Sequence, residues 1–218
     1  MQKDIFKNGE GDAWFERNHQ TCMHHRHFDR SDPVIDAVET VNSAGMAGFG
    51  QLLEIGCGEG KRLAWIAANH GWQCHGVDPS QKAIEEARLS GLQAVQGTAD
   101  QLPYETGTFD LIIFGFCLYL CDREDLFRIA AEADRVLKPQ GCIIIQDFYA
   151  TSHTRRNYHH HDGIYSYKMD YGRLFDWHPA YSRMIHTVTH HGTGTMTDDA
   201  HEWVATTTLR KNSARQEA

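Results

Sequence analysis

The chain lacks several features that would assign it quickly. The longest strongly apolar stretch, Leu111 to Leu120, is too short to cross a bilayer, and nothing near Met1 has the basic-then-apolar pattern of a signal peptide. Lys and Arg form no long run, and a formal charge of −8 with pI near 6.0 gives no general attraction to phosphate backbones. The six cysteines, at 22, 57, 74, 117, 121 and 142, form no paired framework, so reduced thiols are expected. Cys117 and Cys121 have no companion pair at metal-ligand spacing. There is no internal repeat and no low-complexity tract. These absences predict a cytoplasmic protein without nucleic acid or a membrane span, and leave the oligomeric state open, a homodimer included.

At 218 residues, with 41% hydrophobic and 23% charged residues, the chain suits one domain with a full core. Its organising feature is QLLEIGCGEG, Gln51 to Gly60. An apolar strand stops at Gly56, Gly58 and Gly60, and Lys61 to His70 follows as a helix. Glycine suits that turn because the backbone bends sharply and passes close to a ligand.

Strand and helix then alternate. Strands are expected at Gln73 to Val77, Leu92 to Gln96, Phe109 to Phe114 and Cys142 to Ile145, the last running into Gln146, Asp147 and Phe148. Helices are expected at Gln81 to Leu89 behind a Ser80 cap and at Arg123 to Leu137. Before the first strand, SDPVIDAVETV predicts a helix with a serine cap, and Asp12 is placed to cap a short helix carrying Trp14 and Phe15. Ser182 to Thr189 and Glu202 to Leu209 predict an antiparallel closing pair. The fold class is α/β, a doubly wound, seven-stranded, mostly parallel sheet with a last antiparallel strand. Residues 1–30 form a lid, 31–212 the domain with a substrate-covering insertion at about 149–181, and 213–218 a tail.

The glycine turn ends in Lys61, where a dinucleotide fingerprint needs a further small residue, and Glu54 and Glu59 flank it with charges that oppose a pyrophosphate. A donor with cationic character fits better. S-adenosylmethionine (SAM) has an ammonium, a sulfonium and a ribose diol. Glu54 suits the ammonium, Asp78 the diol and Asp100 the adenine amino group, all at one edge because parallel strands end together.

These residues lie in segments that resemble the class I SAM-dependent methyltransferases of small-molecule type, similar to methyltransferase domain 11. LLEIGCGEG resembles the family's first motif, GVDPS its second-strand acid, GTADQLPYETGTFDLIIFGFCLYL the adenine-binding turn and fourth strand, and VLKPQGCIIIQDF the run into the fifth. The resemblance implies SAM as cofactor, S-adenosylhomocysteine as product, and a cofactor site of Glu54, Gly56, Gly58, Asp78 and Pro79. Ala99, Asp100, Gln101, Phe114 and Phe116 complete it, with Trp14 from the lid. NGEGDAWFERN and YHHHDGIYSYKMDY resemble a bacterial methyltransferase group associated with surface-polysaccharide genes. A nicotinamide oxidoreductase and a non-catalytic SAM-binding protein are the alternatives.

Methyl transfer needs a base only when the acceptor holds its proton at neutral pH. The candidates are His161, Asp147 and Tyr119, and Tyr165, Tyr167, Lys168 and Tyr171 are placed to hold the substrate. Among the histidines, 15 in all, the clusters at 24, 25 and 27, at 159 to 161 and at 190 and 191 lack a second ligand set, so no metal is expected.

Overall fold

A computed structural model describes residues 1–22, 31–46 and 50–213. Its main sheet has seven strands in the order β3-β2-β1-β4-β5-β9-β8. These are β1 (Gln51–Ile55), β2 (Gln73–Asp78), β3 (Gln93–Gln96), β4 (Phe109–Gly115), β5 (Leu137–Phe148), β8 (Tyr181–His190) and β9 (Trp203–Lys211). β1 pairs in parallel with β2 and β4, Ile55 standing opposite both Val77 and Phe114, so the strands release their chains on one edge. β9 runs antiparallel between β5 and β8, the arrangement expected.

The continuous apolar runs of β1, β4 and β5 reflect burial on both faces. Leu53, Ile55, Ile112 and Ile143 pack with α6 (Leu126–Val136), while Leu52, Leu111, Ile113 and Ile144 pack with α3 (Pro33–Ser43), α4 (Lys61–His70) and α5 (Gln81–Leu89). α6 inserts Ile129, Ala130, Ala133 and Val136, one apolar stripe at helical spacing.

Two caps differ from expectation. The cap of α3 is Asp32, which accepts from Val34 N–H at 2.8 Å, with Pro33 in the first turn, rather than Ser31. Asp12 does not start a helix. α1 (Gln2–Ile5) runs on through Phe6–Glu10 into α2 (Gly11–Cys22), broken only at Gly9 with φ 152°. Asp12 lies on this helical arm, and its Oδ1 accepts from the Ser80 hydroxyl at 2.7 Å and from Lys82 N–H at 3.0 Å. The arm thereby satisfies a free donor at the start of α5. Asp12→Ala is expected to cost about 1–2 kcal/mol in urea unfolding.

The segment at about 149–181 has more regular structure than its sequence suggests. β6 (Thr154–Asn157) and β7 (Tyr165–Lys168) form a separate antiparallel hairpin, and α7 (Arg173–Asp176) buries Leu174 and Phe175. Both hairpin strands lack fully buried residues, so no burial period marks them. Residues 23–30, with the cluster at His24, His25 and His27, and 214–218 of the expected tail, lie outside the described residues.

Candidate active site

The floor of the site is the glycine turn. Gly56, Gly58 and Gly60 have φ of 79°, 53° and 73°, a region open to glycine and costly for other residues. At Gly56 a Cβ would stand 2.6 Å from the Cys117 Cβ, whereas at Gly58 it would meet nothing within 4 Å. The first glycine is therefore needed by the fold, and the second leaves space above the turn. Gly56→Ala is expected to lower thermal stability. Gly58→Ala is expected to cost only about 1–2 kcal/mol of backbone strain while weakening cofactor binding by a larger factor, measured by calorimetry beside thermal melting.

Asp78 closes the turn at the end of β2. Its two oxygens accept from Gly58 N–H and Ser80 N–H, both at 2.9 Å, and burial pushes its carboxyl up to about 6. A carboxylate has four lone-pair sites, so two remain for further donors.

Glu54 and Glu59, expected from the sequence to repel a pyrophosphate, are each paired with a cation in the fold. Glu59 meets Lys61 at 2.5 Å and His19 at 2.9 Å. Glu54 is buried against Arg62, whose guanidinium also holds Asp32 at 3.2 Å and reaches Gln146 at 3.4 Å. Arg62 is itself buried, and burial still pushes Glu54 up to about 7. The second oxygen of Glu54, Oε2, has no hydrogen-bond partner although it is buried, and Glu54 lines the cavity. Such an atom is costly unless a donor arrives.

The helical arm forms the roof. Lys3, Phe6, Gly11, Trp14, Asn18 and His19 face the turn across a cavity of about 230 Å³. Gly11 allows the close approach, since a Cβ there would stand 2.7 Å from the Phe6 carbonyl oxygen and 3.1 Å from Ser80 N. Lys3 pairs with Asp100 at 2.5 Å and Asp125 at 2.8 Å. Glu10 accepts from Arg17 at 2.5 Å and from the Tyr158 hydroxyl at 3.0 Å, fastening the arm to the insertion. Gln2 exchanges hydrogen bonds with the Tyr165 backbone, donating at 3.1 Å and accepting at 2.8 Å.

A glycine turn with an acid behind it, at the carboxyl ends of a sheet ordered 3-2-1-4-5-9-8, gives the fold, and comparison with known proteins agrees. Residues 53–145 match the methyltransferase domain family. That stretch is similar to methyltransferase domains, and the chain shares the fold of solved SAM-dependent methyltransferases. It is 31% identical to an uncharacterised methyltransferase of Synechocystis over 55% of this chain and 63% of that one. It is 32% identical to the norajmaline N-methyltransferase of Rauvolfia serpentina over 44% of this chain and 35% of that one. The chain thus spans 63% and 35% of the lengths of these curated relatives. Among solved structures, the Burkholderia thailandensis 1,6-didemethyltoxoflavin N1-methyltransferase, with 1,6-didemethyltoxoflavin and S-adenosylhomocysteine bound, superimposes with TM-score 0.69 at 15% identity, covering 96% of this chain and 88% of that one.

Trp14, Glu54, Gly56, Gly58, Asp78, Pro79, Ala99, Asp100 and Phe116 all line the cavity between the arm and the glycine turn. Gln101 is exposed, and Phe114 is sealed in the core below the wall. Of the proposed bases, His161 is exposed with Nδ1 2.7 Å from the Asp162 carbonyl oxygen. Asp147 accepts from Leu118 N–H at 2.8 Å, Tyr119 N–H at 3.2 Å and Phe148 N–H at 2.7 Å, and burial raises it to about 7. It holds the turn after β4. The Tyr119 hydroxyl accepts from the Trp14 indole, and burial raises it well above its usual range. Tyr171 is buried, donating to the Tyr167 carbonyl at 3.1 Å and accepting from Arg123 at 3.3 Å. Tyr167 lies under Arg123 at 4.1 Å and Tyr165 under Arg155 at 4.5 Å, while Lys168 reaches Phe148.

Arg62, Lys3 and His19 on the cavity wall were not singled out in the sequence. For Arg62 a local signal exists, since it lies one residue past Lys61 in the first turn of α4. Lys3 lies 97 residues from Asp100 and leaves none. Cys57, Cys74, Cys117, Cys121 and Cys142 are free thiols. Among the described residues no three His, Cys, Asp or Glu side chains gather as metal ligands, and no helix is long and apolar enough to cross a membrane.

Proposed function

We propose that the protein transfers the methyl group of SAM to an oxygen or nitrogen of a small molecule. The observation that carries this reading is the buried, unpartnered Oε2 of Glu54, a residue that lines the cavity together with Gly58 and Asp78, because an ammonium and a ribose diol would supply donors to these acids. Lys61 in place of the third small residue weighs against a nicotinamide dinucleotide.

When bound, SAM supplies an electrophilic methyl group on a positive sulfur. Glu54 Oε2 would accept from the ammonium, with Arg62 fixing the other oxygen. Asp78 would accept from the ribose hydroxyls and Asp100 from the adenine amino group. Phe6 and Trp14 cover the site and exclude water, and Phe116, turned into it by an uncommon φ of 51°, marks the end at which the acceptor enters.

Relatives acting on nitrogen, by their names, support a small-molecule acceptor. A carbohydrate-like acceptor of surface-polysaccharide metabolism is our finer reading, on the resemblance of the flanking segments. The residues of the helical arm act as a lid, in a cytoplasmic protein for which the charge of −8 disfavours nucleic acid as acceptor. Millimolar SAM or S-adenosylhomocysteine should raise the melting temperature by binding the folded state. No shift with either would overturn the reading. Labelled SAM with a mixed metabolite extract, followed by mass spectrometry, would then identify the acceptor.

A further inference from the structure

A second group of rings lies behind Phe116, away from the glycine turn. Phe116 meets Phe148 at 5.4 Å and His191 at 5.6 Å between centroids, and Phe148 meets both His191 and Tyr119 at 5.0 Å. Phe148 ends β5, so this cluster stands on the ligand edge of the sheet. The Lys168 ammonium lies 5.0 Å from the centre of the Phe148 ring.

Lys168 has a cationic neighbour. In the hairpin, Thr154 stands opposite Lys168 and Arg156 opposite Ser166, which puts Arg156 and Lys168 on one face. Both reach His201, Arg156 at 3.1 Å from its Nδ1 and Lys168 donating to its carbonyl at 2.5 Å. Among the described residues no carboxylate forms an ion pair with either of them. Asp199 and Glu202 act on Lys168 only from farther away, and burial together with Arg156 moves its ammonium below the usual range. Two cations held together without a paired acid, in a chain of net charge −8, form a corner that an anion would relieve.

We propose that this corner recognises the methyl acceptor by an oxyanion, a carboxylate or phosphate held by Lys168 and Arg156, with a planar ring packed on Phe148 beside Phe116. This inference rests on the methyltransferase reading, since it places the acceptor next to the methyl-donor end. The ring gives the acceptor orientation, and the charge pair selects it from neutral analogues.

The test uses the full chain saturated with S-adenosylhomocysteine, whose binding is measured first so that failure of the cofactor reading is seen separately. Three probes are then titrated by calorimetry: 4-hydroxybenzoate, phenyl phosphate and neutral 4-hydroxybenzamide. At least one anion is expected to bind about tenfold or more tightly than the amide, as a charge-assisted hydrogen bond allows. The preferred anion distinguishes carboxylate from phosphate. Lys168→Met, which keeps the aliphatic stem over Phe148, should remove that preference while leaving S-adenosylhomocysteine affinity unchanged. Equal affinity for anions and amide, no anion binding, or a preference that survives Lys168→Met would overturn the proposal.

Discussion

Asp78→Asn is expected to weaken S-adenosylhomocysteine binding by about thirtyfold or more at pH 8, while the empty protein melts at the same temperature or higher. The two effects separate because Asp78 is costly to the empty fold. Burial raises its carboxyl from 3.8 to about 6, so the folded protein holds this proton more tightly than the unfolded chain does. The stabilisation linked to that proton is full below about pH 4 and is lost as pH rises through about 6. At pH 8 the buried ion is a burden, which the neutral amide removes. Against that gain stands one mismatch, because the amide NH2 must face either Gly58 N–H or Ser80 N–H, where the carboxylate accepts from both.

Binding has the opposite requirement. If Asp78 holds the ribose diol as proposed, its ionised form binds more strongly, since hydrogen bonds to a charged group contribute about 1.5–3 kcal/mol. Wild-type affinity should therefore fall as pH drops below about 6, and the two proteins should converge near pH 5. Calorimetry and thermal melts at pH 5 and 8 measure both arms. A variant that loses stability and affinity together at pH 8 would show that Asp78 acts by holding the turn.

What could be read from the chain follows from the range of the forces involved. LLEI and DLIIF are legible as strands because burial on both faces leaves an apolar run, and the glycine turn is legible because positive φ selects glycine locally. The partners that define the charges are a different matter. Asp12 finds its donors at Ser80 and Lys82, and Lys3 finds Asp100, through folding of distant segments. Asp147 resembles a base at a strand end, yet three backbone N–H groups occupy it. His161 had the right chemistry, but the hairpin turn that carries it faces solvent. Residue type identifies what a side chain is able to do, and only the fold decides what it meets.

Arg62→Met carries the largest expected effect on stability, about 3–5 kcal/mol at pH 8, the usual penalty for removing one partner from a buried charge network. Arg62 lies between Glu54 and Asp32, and without it two acids would face each other with no counter-charge. Glu54 is already raised to about 7 with the guanidinium in place, so in the variant it rises further. A raised acid favours the fold below its unfolded value and loses that contribution as pH climbs through the folded one. The variant should therefore approach wild-type stability near pH 5 and fall away steeply above about 7. Adding Glu54→Gln should recover much of the loss at pH 8, because it removes the charge that Arg62 had balanced. A penalty equal at pH 5 and 8, or no recovery in the double variant, would mean that Arg62 stabilises by packing. The cycle also reaches function: if Arg62 fixes one Glu54 oxygen so that Oε2 faces the cofactor ammonium, the double variant will regain its fold without regaining S-adenosylhomocysteine affinity.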